Sequence, residues 1–110
     1  MQHFALSDQN AKCEMHYTIK DDALKQKWDG IVFCNPPYGK QIKKWVKKGY
    51  EEAMIGSTVV MLIPARTDTQ WFHDYCLKGE IRFLKGRLRF KGEQYNAPFP
   101  SMVVVFRNEN

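Results

Sequence analysis

The chain carries Asn35-Pro36-Pro37-Tyr38 directly after the apolar run Ile31-Val32-Phe33-Cys34 and before Gly39. This segment constrains the fold more than any other. Proline has no N–H and fixes φ, so two in succession end a strand in a stiff, non-helical turn. Nearby carbonyls are left as acceptors. The residue before a proline is pushed towards extended backbone, which holds Asn35 at the carboxyl end of the strand. In open α/β sheets ligands bind beyond that edge. A lone Pro-Pro pair reads as a surface turn. Here the whole tetrapeptide follows a run that reads as a buried strand, the context such a motif requires.

An amide oxygen, a fixed carbonyl and an aromatic face then converge on one spot, which suits a planar substrate bearing an amino group. The exocyclic amino group of adenine is a poor nucleophile, because its lone pair is delocalised into the ring. Acceptors that hold both amino hydrogens out of the favoured plane make the nitrogen more tetrahedral and localise that pair. The Asn35 side-chain oxygen and the Pro36 carbonyl are the natural acceptors. Tyr38 offers a face on which a base taken out of its helix can stack. A sulfonium methyl as electrophile removes the need for a strong base before transfer.

The rest of the chain alternates between strand and helix patterns. Residues 11–15 read as a short helix, 16–19 as a strand, 23–27 as a helical turn or loop, and 31–35 as a central strand. Residues 41–54 read as a helix, with Ile42, Trp45, Val46, Gly49, Tyr50 and Ala53 on the face towards a sheet. The valine-rich run 58–63 reads as a parallel strand buried on both faces. Residues 67–77 read as helical, and 80–84, 88–90 and 102–107 as strands. The last is expected to be antiparallel, because 92–101 reads as a loop and offers no crossover helix. This order implies an α/β fold with a mainly parallel sheet and a late antiparallel strand, in one domain spanning residues 1–110.

Composition narrows the class. The 110 residues are 44% hydrophobic and carry a formal charge of +5, with pI about 9.2. Such a balance favours polyanionic partners, nucleic acid first. Cys13, Cys34 and Cys76 are odd in number and lack Cys-x-x-Cys spacing, so reduced core thiols are expected and a disulfide framework is not. His73 and Cys76 lie near each other in sequence without a second ligand pair, so no metal site is expected. No signal peptide or membrane span is legible, and a cytoplasmic location follows as the default.

Several segments together resemble one family, the phage-type DNA adenine-N6 methyltransferases (Dam family). They are Asn10-Ala11-Lys12-Cys13, Asp21-Asp22, Trp28 and Cys34-Asn35-Pro36-Pro37-Tyr38-Gly39. They continue with Trp45-Val46-Lys47-Lys48, the run from Val59 through Arg66-Thr67-Asp68-Thr69, and Trp71-Phe72-His73-Asp74. Ile81-Arg82-Phe83, Gly86-Arg87-Leu88 and Ala97-Pro98-Phe99-Pro100-Ser101-Met102-Val103-Val104 complete the set. The resemblance covers nearly the whole chain from Ala5 onward. It implies a reduced class I (Rossmann-like) methyltransferase fold, S-adenosylmethionine as methyl donor, and double-stranded DNA as partner. It also implies a phage- or prophage-encoded enzyme acting in a bacterial host. Catalytic roles fall on Asn35, Pro36, Pro37 and Tyr38. Family members place an acidic, small-residue segment at the end of their first strand, where it cradles the donor. Here Met1-Gln2-His3-Phe4 stands there and only Ala5 keeps register. The expectation is a chain lacking that cofactor-binding strand, completed by an N-terminal piece or a complementing subunit.

Other groups carry two readings each. Asp21 and Asp22 follow a strand, where a carboxylate accepts from a ribose or an adenine amino group; a helix cap or solvated turn competes. The resemblance tips them, with Ala5, to the cofactor side. Lys40 adjoins the motif and is the phosphate candidate, whereas Lys43, Lys44, Lys47 and Lys48 read mainly as a solvated helix face. Arg66 belongs to the same edge as Asn35, and Thr67 or Asp68 either assists it or caps the next helix. Trp71, Phe72 and Tyr75 read as core. Arg82, Lys85, Arg87, Arg89 and Lys91 alternate along a late basic hairpin that either follows a nucleic-acid backbone or keeps an edge strand from aggregating. The loop 96–101 is a further candidate wall of the target pocket. Two rival functions stay open: methylation of an RNA adenine or a protein glutamine amide, and a silent nucleic-acid-binding remnant.

Overall fold

The strand that ends at the Pro-Pro motif, Ile31–Cys34, lies inside a six-stranded sheet. The computed structural model describes residues 2–4, 16–17, 23–89 and 97–108. In chain order the strands are β1 (Gln2–Phe4), β2 (His16–Tyr17), β3 (Ile31–Cys34), β4 (Thr58–Pro64), β5 (Glu80–Phe83) and β6 (Ser101–Phe106). They stand side by side as β2-β1-β3-β4-β6-β5. The pairs β1–β2, β1–β3 and β3–β4 are parallel, whereas β4–β6 and β5–β6 are antiparallel. The sheet is therefore mixed, and the late antiparallel strand expected from the sequence is β6. β6 inserts between β4 and β5 and runs against both.

Gln2–Phe4 is a strand in its own right, which the sequence reading did not assign. It lies between β2 and β3, with Phe4 level with Tyr17 on one side and Cys34 on the other. Residues 88–89 form no strand. The inner edge of β5 is taken by β6, and the only described tie from Leu88 across the loop is its carbonyl, which accepts from the Ala97 N–H at 2.7 Å. The expected short basic hairpin is thus a wide one, β5 and β6, with residues 84–100 between them.

Two helices follow the two central strands: α1 (Ile42–Met54) after β3 and α2 (Gln70–Asp74) after β4. One-turn 3-10 segments at Ala23–Lys25 and Cys76–Lys78 complete the described elements. α1 buries Ile42, Trp45, Val46, Gly49 and Ala53 of the stripe its spacing predicts; Tyr50 is half-buried, and Glu52 is buried as well. Gly49 permits the close approach: a Cβ there would meet Met61 Sδ at 2.8 Å and Val59 Cγ1 at 3.2 Å. Gly56, at φ 125, turns the chain out of α1, and the Gly56 and Ser57 N–H groups cap the carbonyls of Ala53 and Glu52.

Val32, Cys34, Val59, Met61, Ile63, Met102, Val104 and Phe106 form one core cluster with Trp45 and Val46 of α1 and Phe72 of α2. The alternate positions of β4 – Thr58, Val60 and Leu62 – are only half-buried. The run expected to be buried on both faces is fully buried on the helix side alone.

Candidate active site

The parallel register sets the site. β3 and β4 run together from Ile31 beside Thr58 to Cys34 beside Met61, so the segments after them, 35–41 and 65–69, leave by the same edge. The antiparallel pairing of Pro64 with Ser101 brings the start of β6 to that edge as well. Three stretches distant in sequence therefore meet beyond the carboxyl ends of β3 and β4.

Tyr38 joins them. Its hydroxyl lies 3.1 Å from Asn35 Oδ1 and 3.1 Å from the Leu62 carbonyl. A phenol has one proton, so it donates to one of these acceptors at a time. Burial, and secondarily the adjacent Cys34, push the Tyr38 hydroxyl well above its ordinary value of 10.0, so it remains a donor at any working pH. The Tyr38 ring meets Phe99 edge-on at 5.4 Å, and the Arg66 guanidinium sits 5.5 Å from the centre of the Phe99 ring. Asn35, Tyr38, Phe99 and Arg66 thus form one continuous cluster.

Asn35 is half-buried, and its side-chain amide N–H groups have no acceptor among the described residues. Pro36 is buried and Pro37 half-buried. The Pro36 carbonyl accepts from no donor among the described residues. Below the motif, burial in the core holds the Cys34 thiol well above its ordinary 9.0, so it stays neutral. Ser101, at the start of β6, has a buried hydroxyl with no hydrogen-bond partner among the described residues.

Arg66 is placed by its own loop. Its carbonyl accepts from the Thr69 N–H at 3.2 Å and from the Thr69 hydroxyl at 2.7 Å. Thr69, not Thr67 or Asp68, caps α2 by accepting from the Phe72 N–H at 3.3 Å. The Thr67 carbonyl is engaged by His73 Nε2 at 2.9 Å. No group of three or more metal-ligating side chains occurs among the described residues.

Of the sequence-derived candidates, the structure unites Asn35, Tyr38 and Arg66, with Pro36 and Pro37 between the first two. Lys40 is exposed just beyond the motif. Arg87 and Arg89 are exposed on the loop after β5, and no contact joins them to the cluster among the described residues. Ala5, Asp21, Asp22 and Lys91 lie outside the described residues, as does the helix expected at 11–15. The sequence reading missed the Leu62 carbonyl, and it took in Ser101 only as the end of the candidate loop 96–101; β4–β6 pairing places both. Phe99, flanked by two prolines, was legible only as part of a loop.

A family model described as DNA N-6-adenine-methyltransferase (Dam) matches residues 2–109, and the chain is a member of that family. A DNA N-6-adenine-methyltransferase of Escherichia phage T1 is 36% identical over 70 residues, which cover 62% of this chain and 29% of that relative. The chain thus aligns with less than a third of the relative's length. No helix among the described residues is long and apolar enough to cross a membrane.

Proposed function

We propose that this chain catalyses adenine-specific methylation of duplex DNA at N6, on an adenine rotated out of the helix. The observation that carries the reading is Asn35 Oδ1, fixed at the carboxyl end of β3 and engaged by the Tyr38 hydroxyl, in a member of the Dam family. The strand order supports a class I, Rossmann-like assignment. The chain passes from β1 outward to β2, then back across β1 to β3. The β1–β3 boundary is therefore a topological switch point, where open α/β sheets hold ligands. Asn35 leaves from that boundary.

S-adenosylmethionine, bound there, would supply a methyl group on a sulfonium. Asn35 would accept one amino hydrogen of the adenine through Oδ1, and the Pro36 carbonyl would accept the other. Both acceptors localise the nitrogen lone pair towards the methyl. Pro36 is buried in the present arrangement, so the base reaches it as the groups covering the motif move aside. The same movement exchanges the Tyr38–Asn35 hydrogen bond for one from the base. Tyr38 then stacks on the base, backed by Phe99. Ala5, Asp21 and Asp22 are assigned to the donor, and Lys40, Arg66, Arg87, Arg89 and Lys91 to the DNA backbone. The protein acts on DNA in the cytoplasm of a bacterial host.

Radiolabelled methyl transfer to matched DNA duplex, RNA and protein substrates tests the reading. Label should enter the DNA duplex alone and fall away when its adenines are replaced by N6-methyladenine. Transfer to RNA or to glutamine amides in preference to DNA would overturn it.

A further inference from the structure

The sequence gives Lys43, Lys44 and Lys47 to a wet helix face, and Trp71 and Tyr75 to the core. The structure puts all five around one groove of about 300 Å³ between α1 and α2. The lysines are exposed, and Trp71 and Tyr75 are each half-buried. Lys48 behaves differently: it points at Glu52, 3.3 Å away. Lys43, Lys44 and Lys47 have no ion-pair partner among the described residues. Asp74 is the one acid in the lining, against three lysines. Tyr75 is steadied from behind by Tyr50, with ring centres 5.5 Å apart.

Position matters as much as composition. α1 starts after the carboxyl end of β3 and α2 after that of β4, and the groove is lined by the first half of α1 and by α2. It therefore opens at the edge that carries Asn35 and Arg66, yet shares no residue with the cluster around them. Positive charge beside aromatic faces is the combination that binds nucleic-acid strands without reading sequence.

We infer that the α1–α2 groove is a second nucleic-acid contact: it grips the sugar–phosphate backbone of the DNA flanking the target, with the three lysines on phosphates and Trp71 as the apolar wall. This rests on the proposed function for its choice of polyanion. Charge complementarity selects DNA over an apolar partner, and the net charge of +5 agrees.

Fluorescence anisotropy of a labelled duplex across a salt series tests it, with wild type beside the combined Lys43→Ala, Lys44→Ala and Lys47→Ala variant. These side chains are exposed, so the variant should keep its melting temperature. Each lost phosphate contact lowers the slope of log K against log salt by about 0.9. The variant should therefore lose a slope of roughly two to three and bind about tenfold or more weakly in dilute salt. Asn35→Ala should leave the slope unchanged. A wild type that binds duplex with salt sensitivity, beside a triple variant of equal slope, overturns the groove assignment and leaves the DNA reading standing. A wild type with no salt-dependent binding to duplex overturns both. Loss of polyglutamate binding in the triple variant, with duplex binding intact, would make the occupant an acidic protein segment and likewise overturn it.

Discussion

The two edges of the sheet treat their polar groups in opposite ways. At the amino edge, buried Glu52 accepts the Trp28 N–H at 2.7 Å and pairs with Lys48, while the Ser57 hydroxyl donates to the Trp28 carbonyl and the Trp28 indole N–H to the Ala23 carbonyl at 3.0 Å. The Thr58 N–H closes onto the Gly30 carbonyl. Donors meet acceptors within the fold, and the turn at Trp28 is tied to the end of α1. At the carboxyl edge, the Asn35 amide, the Pro36 carbonyl and the Ser101 hydroxyl lack partners among the described residues. Buried polar groups normally find partners. An edge that withholds them has capacity to spend on a ligand, whereas a closed network stabilises the chain.

Substituting both edges separates these roles. Asn35→Ala should lower methyl transfer by about a hundredfold or more, the usual loss for a positioned polar group at a reacting centre, with a denaturation midpoint near that of wild type. A matching loss of DNA affinity would make Asn35 a recognition residue. Glu52→Ala should do the reverse. It removes the carboxylate that the Trp28 N–H donates to and that pairs with Lys48, costing about 2–4 kcal/mol of stability. Urea titration reads that loss, and activity per folded molecule should hold. A small stability change would show that water replaces the carboxylate.

What the sequence revealed followed the range of the forces involved. β3, the Pro-Pro turn and the stripe of α1 were legible because each is fixed by neighbours in the chain: proline geometry, apolar runs and 3.6-residue spacing. The partner of β5 was not. Leu88-Arg89-Phe90 has strand-like residues, but pairing depends on which strand reaches the edge of β5, and β6 arrives from beyond residue 100. The α2 cap went to Thr69 because backbone geometry, not residue type, chooses among Thr67, Asp68 and Thr69. Arg66 was placed correctly at the shared edge, but its seat on Phe99 depends on a strand pairing that no local pattern encodes.

Alkali probes the closed character of the core. Burial pushes the Cys76 thiol up to about 12 from 9.0, and raises Cys34 as well. Above pH 9 the unfolded chain releases thiol protons that the folded chain keeps, so the native state binds more protons. Stability is fully present below that pH and falls as pH rises towards 12, by up to about 1.4 kcal/mol per pH unit for each thiol. Wild type and Cys76→Ala, compared by urea midpoint at pH 8, 10 and 11, should converge as pH rises. A constant difference would mean that the Cys76 thiol is not shielded. Thiol reagents at pH 8 should leave Cys34 and Cys76 of the folded chain almost untouched.

Ser101→Ala carries the smallest expected effect and separates the edges most finely. A buried hydroxyl without a partner costs stability, so its removal should leave the chain unchanged or about 1 kcal/mol more stable. The same change at Ser57, whose hydroxyl is engaged by the Trp28 carbonyl, should destabilise by about 1 kcal/mol. Opposite signs at two buried serines would establish the open and closed edges from stability alone. Should Ser101→Ala also slow methyl transfer while raising the melting temperature, the hydroxyl is held in reserve for the substrate. A loss of stability at Ser101 equal to that at Ser57 would show that it already has a partner, and the contrast between the edges would reduce to Asn35 and Pro36.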